Sequence, residues 1–245
     1  MDGYKKQLKI YSLPRINYLA IIIFFVTFIG GIAVNFVATD MPYLTTGYVW
    51  ADIILSLGLI AVGIFSHEVI HGLSAVIFGK CGGADLRFGM KLKDGLFFCH
   101  CKKPITINAY RIMLIMPFII TGLIPYIITV FFGGIMLIAV FAMLMAGAAG
   151  DIVMLCGLAK QKNGKNLVID HPDAVAYYLL YKEDELPPDF VETTEEDEKR
   201  IMEENEKKTQ ERTRKGMLLK TLGIGIFCAL VVLALYVMAL VMKIL

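Results

Sequence analysis

Apolar positions along this chain run in long unbroken blocks rather than at strand or amphipathic-helix spacing. Five blocks, Asn17–Ala38, Ala51–Gly79, Ile112–Phe132, Ile135–Ala159 and Met217–Met242, are each long enough to cross a bilayer core of about 30 Å as a helix. The third holds Pro117, Gly122 and Pro125 and predicts a kinked span. Between the second and third the pattern changes. Two short extended runs, "LRFGMKLK" and "LFFCHC", flank Asp94-Gly95, the dipeptide favoured in two-residue hairpin turns. They predict a β-hairpin over 84–103. After residue 159 the chain turns polar. "HPDAVAYYLLYKEDELPP" has room for one short element, and "VETTEEDEKRIMEENEKKTQERTRKGM" reads as a solvated helix or connector, with Thr193 or Thr194 as its cap.

The pattern therefore predicts an all-α polytopic membrane protein with about five transmembrane helices and a cytoplasmic β-hairpin between helices 2 and 3. A tail (1–16) precedes a membrane core (17–185). A charged linker (186–216) then leads to a C-terminal transmembrane helix (217–245).

Composition agrees: 57% of the 245 residues are hydrophobic, where soluble domains are near half or below. The net charge of +2 decides little, but its distribution is informative. Lys5, Lys6, Lys9 and Arg15 precede the first span. Lys80, Arg87, Lys91, Lys93, Lys102, Lys103 and Arg111 crowd the loop after the second, and Lys160, Lys162 and Lys165 follow the fourth. By the positive-inside rule the N-terminus is cytoplasmic and the C-terminus lies outside. The basic end of the linker would sit at the membrane surface. The first span has only a weak cleavage cue and reads as a retained helix. Cys156 and Cys228 fall in spans, Cys81, Cys99 and Cys101 in the hairpin loop. No disulfide framework is expected, which suits a reducing compartment.

Within the second span, "FSHEVIHG" places His67, Glu68 and His71 at membrane depth. Ionisable groups there are costly and mark function. Histidines at i and i+4 share one helix face, so both imidazoles can hold one zinc ion. Glu68 neighbours the first and can take a proton from an attacking water and pass it to a leaving amine. A catalytic zinc needs a third protein ligand. Asp151, in "AGAAGDIVML", is the only acidic residue deep in another span. Both His71 and Asp151 lie nine residues before the basic residue that ends their span, about 13 Å inside the same boundary. The small residues before Asp151 allow close helix approach. "CHC" (Cys99, His100, Cys101) is a weaker metal pattern, because strand alternation turns His100 away from both cysteines. His171 reads as a loop residue.

The stretches "SHEVIHGLSAVIFGK", "KDGLFFCHCKKPITINAYR", "AGAAGDIVMLCGL" and "IDHPDAVAYYLL" together resemble the zincin peptidase family of bacterial multi-pass membrane proteins, over roughly residues 50–185. More distantly the chain is similar to the site-2 proteases, intramembrane zinc enzymes. Those usually follow their aspartate with glycine, where this chain has Gly-Asp-Ile. The resemblance implies one zinc on His67, His71 and Asp151, with Glu68 as base.

The expected function is thus a membrane-embedded zinc metallopeptidase of HExxH type. It would cut a membrane protein or peptide near the cytoplasmic face, with the bilayer as its surroundings and no nucleic-acid partner. Phe97, Phe98 and His100 on the hairpin would bind substrate, its strand edge holding an extended peptide. The alternative is a catalytically inactive or regulatory metal-binding membrane protein. Oligomeric state is not encoded.

Overall fold

The first four apolar blocks form helices and the polar segments between and around them form more strand than their local pattern suggests. The structure, a computed structural model, describes residues 3–38, 48–91, 96–162, 164–172 and 174–211. A short N-terminal strand β1 (Tyr4–Ile10) leads into helix α1 (Leu13–Ala38), and α2 (Val49–Ile77) follows. Then come β2 (Leu86–Lys91), β3 (Leu96–Cys101) and the two-residue β4 (Ile105–Thr106). Next come helices α3 (Ile107–Pro117), α4 (Ile124–Phe132), α5 (Ile135–Gly147) and α6 (Ala149–Leu158), before β5 (Leu167–Asp170) and β6 (Ala176–Lys182).

Among the described residues, three helical stretches are long and apolar enough to cross a membrane: Leu13–Ala38, Val49–Ile77 and Ile107–Phe132. Their outer faces expose large apolar side chains such as Val26, Phe36, Ile54, Leu57 and Phe65. Contiguous apolar surface of that kind suits lipid rather than water, which supports membrane association. The predicted fourth span is not one rod. It is α5 and α6, bent by 41° at Ala148, whose φ of −79° and ψ of 8° leave the helical region. The fifth block, Met217–Met242, lies outside the described residues, as does the Asp94-Gly95 turn.

The third block is irregular at its first proline. After Pro117 the backbone loosens into a π-helical turn, Phe118–Leu123, a geometry common at helix irregularities. Thr121 Oγ1 donates to the Pro117 carbonyl at 2.8 Å. Polar side chains also join α1 to α4: Asn35 Nδ2 donates to the Val130 carbonyl at 2.7 Å, and Tyr126 Oη to the Thr27 carbonyl.

The hairpin is present. β2 and β3 pair antiparallel from Leu86↔Cys101 to Lys91↔Leu96. A second sheet was not expected. Its order is β1-β6-β5-β4, antiparallel throughout. The all-α expectation is corrected here, because the basic N-terminal tail and the polar segment after residue 159 pair with one another. Tyr4↔Lys182 to Ile10↔Ala176 is the register. Tyr177, Leu179 and Tyr181 of β6 pack on Ile107, Tyr110, Leu114 and Leu158 of α3 and α6. The sheet thereby closes over the ends of two helices. Arg111 fastens this layer, its guanidinium donating to the Gln161 carbonyl at 2.6 Å and to that of Leu158 at the end of α6.

Cys81 and Cys101 form a disulfide. The expectation of unpaired cysteines fails because β3 runs back along α2, bringing its last residue to the loop that leaves that helix.

The chain divides into two compact units, Met1–Thr194 and Glu195–Leu245. In the second, residues 195–211 are helical, with ion pairs one turn apart between Arg200 and Asp197 (2.6 Å) and Lys208 and Glu204 (3.2 Å).

Candidate active site

One long helix presents His67, Glu68 and His71, and a broken one presents Asp151. Because α6 begins at Ala149, Asp151 lies in its first turn, aimed at α2. His67 Nε2 stands 3.0 Å from Asp151 Oδ2, and His71 Nε2 3.4 Å from Asp151 Oδ1. The two Nε2 atoms are 3.2 Å apart. The depth argument that paired His71 with Asp151 thus agrees with the observed neighbourhood.

The tautomer of His71 follows from its other nitrogen. Nδ1 lies 2.9 Å from the Met113 carbonyl of α3. A carbonyl only accepts, so Nδ1 carries a proton. Nε2 is turned toward a second imidazole nitrogen and a carboxylate oxygen. Electron-rich atoms converging at this spacing need a proton or a cation between them. The outer hydrogen bond from His71 is the kind that orients a metal-binding imidazole. This donor set fits a divalent ion such as zinc.

Two carboxylates compete for the third position. His67, Glu68 and His71 offer ligand atoms all within 4.8 Å of one another, while Asp151 reaches both imidazoles directly. Glu68 is committed elsewhere, since it accepts a hydrogen bond from the Cys99 N–H on β3. Asp151, with one oxygen on each imidazole, is the better placed of the two.

The hairpin packs on α2 at Gly72. A Cβ built there would meet Phe88 Cζ at 2.7 Å and Cys99 Sγ at 3.3 Å. The glycine lets β2 and β3 come close enough for Cys99 to hold Glu68. Burial pushes the Cys99 thiol up to about 12, with the Glu68 and Asp170 charges adding. It stays a neutral thiol.

These groups share a cavity of about 240 Å³ lined by His67, Glu68, His71, Asp151 and the hairpin residues Phe97, Phe98 and His100. All the expected site residues are therefore brought together. Two more were not foreseen. Asp170, at the end of β5, lies 3.3 Å from His100 Nδ1 and accepts from Tyr110 Oη at 2.8 Å. His171, expected as a plain loop residue, is buried, stacks at a tilt on Tyr178 and lines the same cavity. The available signal was the polar "IDH" run, acidic and imidazole groups ending an apolar strand.

The arrangement suits a metal site: clustered imidazoles with two carboxylates beside them, Asp151 on both rings and Glu68 held by the Cys99 N–H. Residues 59–165 match the family model described as "Putative zincin peptidase". The matched stretch contains His67, Glu68, His71 and Asp151, and a zincin is a zinc-dependent peptidase. No curated protein and no solved structure matches the chain.

Proposed function

We propose that the chain is a membrane-embedded zinc metallopeptidase, distantly similar to the site-2 proteases, that hydrolyses peptide bonds of membrane-associated substrates near the cytoplasmic face. The observation carrying this reading is the convergence of His67, His71 and Asp151 beside Glu68 in a cavity reached from the hairpin. In this reading His67, His71 and Asp151 hold one zinc. Bound there, zinc supplies a Lewis acid and a water whose pKa falls to about 7. Glu68, fixed by the Cys99 N–H, takes the proton of the attacking water and returns it to the leaving amine nitrogen. In this reading the site faces the cytoplasm and the C-terminus lies outside, an orientation supported by the basic residues of the loops after the second and fourth apolar blocks.

Substrate would lie along β3. Among the described residues β3 pairs only with β2. The Cys99 N–H points to Glu68 rather than into the hairpin. By alternation the backbone groups of Phe97 also point off the hairpin, while those of Phe98 face its partner Gly89. An extended peptide would therefore bond Phe97, and its scissile bond would pass Glu68.

The test is Glu68→Gln in cells, followed by proteomics of membrane fragments. Fragments that vanish in the variant, with zinc content unchanged, are expected. Identical fragment sets would remove Glu68 as the base.

A further inference from the structure

A second polar cluster shares the cavity with Glu68, and zinc binding does not use it. His100 is buried and lines the cavity. It follows directly the residue whose N–H holds Glu68. Its Nδ1 lies 3.3 Å from Asp170 Oδ2, and the other Asp170 oxygen accepts from Tyr110 Oη at 2.8 Å. Tyr110 is itself wedged in the core, its ring edge-on to Tyr177 with centroids 5.9 Å apart. Asp170 is thus clamped from below by α3 and aims at one nitrogen of the imidazole. No described residue bonds Nε2, and no buried side-chain nitrogen or oxygen among the described residues lacks a partner. Nε2 is therefore reached from the cavity.

Resting on the metallopeptidase reading above, we propose that His100 is a further catalytic residue, and that Asp170 and Tyr110 position it. With Asp170 accepting from Nδ1–H, the imidazolium ring presents Nε2–H to the cavity, where it donates to the substrate carbonyl oxygen as that oxygen gains negative charge. No proton leaves His100 and no bond to it forms. Its hydrogen bond strengthens as the carbon becomes tetrahedral and weakens when the carbonyl is restored. Donors of this kind act most strongly in a water-poor site, where removing one lowers the rate about 100-fold to 1000-fold. The topology explains why three elements are needed: β3 brings the imidazole, β5 the carboxylate and α3 the phenol.

The experiment uses the full-length chain in detergent, loaded with zinc, and two probes. A phosphinic tripeptide carries the tetrahedral oxygens of the hydrated peptide. Acetohydroxamate engages the metal without them. His100→Ala is expected to weaken the phosphinic tripeptide about 100-fold, with acetohydroxamate affinity and zinc content unchanged. His100→Gln, which keeps a donor, is expected to recover at least about tenfold of that loss. Asp170→Asn keeps the side-chain volume should His100→Ala fold poorly, and is expected to weaken the tripeptide about tenfold. Equal losses for both probes, or no loss for either, in zinc-loaded variants would overturn the role of His100 alone. A wild-type chain that takes up no zinc would overturn the metallopeptidase reading and this assignment with it.

Discussion

Opening the Cys81–Cys101 disulfide should release the hairpin from the helix that carries the site. The bond closes a loop with a sequence separation of 20. Loop-closure entropy of that length corresponds to about 3 kcal/mol at 25 °C. Most of it acts on the segment it encloses, β2 and β3, because α2 is anchored by its own packing. Three kcal/mol is on the order of a 100-fold change in an opening equilibrium. Amide hydrogen exchange of 96–101 should therefore quicken by about that factor on reduction, or in Cys81→Ser, while exchange in α5 stays the same. Glu68 would lose its Cys99 N–H partner in the opened state. Unchanged exchange in 96–101 after the bond is shown by mass to be open would refute this account of the hairpin. Cytoplasmic thiol chemistry reduces such bonds, so the same measurement in cell-derived membranes reports which state the hairpin holds.

Two other outcomes are expected. Phe97→Pro removes an outward N–H without disturbing the β2 pairing, so cleavage should be lost with zinc retained; Phe97→Pro cleaving at the wild-type rate would exclude substrate on that edge. Cys99 should resist iodoacetamide at pH 8, where a thiol titrating at about 12 has a thiolate fraction of roughly 10⁻⁴. Its reactivity should rise about tenfold per pH unit while the fold survives, and a plateau near pH 9 would contradict the burial argument.

The candidate site was legible in the sequence because its signals are local. His67 and His71 are one helical turn apart, and Asp151 is the only acid deep in another apolar block. Helices α1 and α2 were legible for the same reason, long apolar runs having few alternatives. The sheet was not. β1 is "YKKQLKI", whose lysines read as a basic tail, and it becomes a strand through β6, more than 160 residues away. Nothing near Tyr4 announces that partner. The break at Ala148 was hidden inside a uniformly apolar run, since small residues pack equally well in straight and bent helices. Asp170 escaped notice for a related reason. Its meaning depends on His100 and Tyr110, which only the hairpin and the sheet together bring to it.

Zinc per chain, measured by inductively coupled plasma mass spectrometry on purified full-length protein, tests the central assignment most directly. Wild type and Glu68→Gln should each hold one zinc, and His67→Ala, His71→Ala and Asp151→Ala should each hold far less. A wild type without zinc would contradict the account. So would an Asp151→Ala chain that keeps its zinc beside a Glu68→Gln chain that loses it, since Glu68 would then be the ligand and no longer the base.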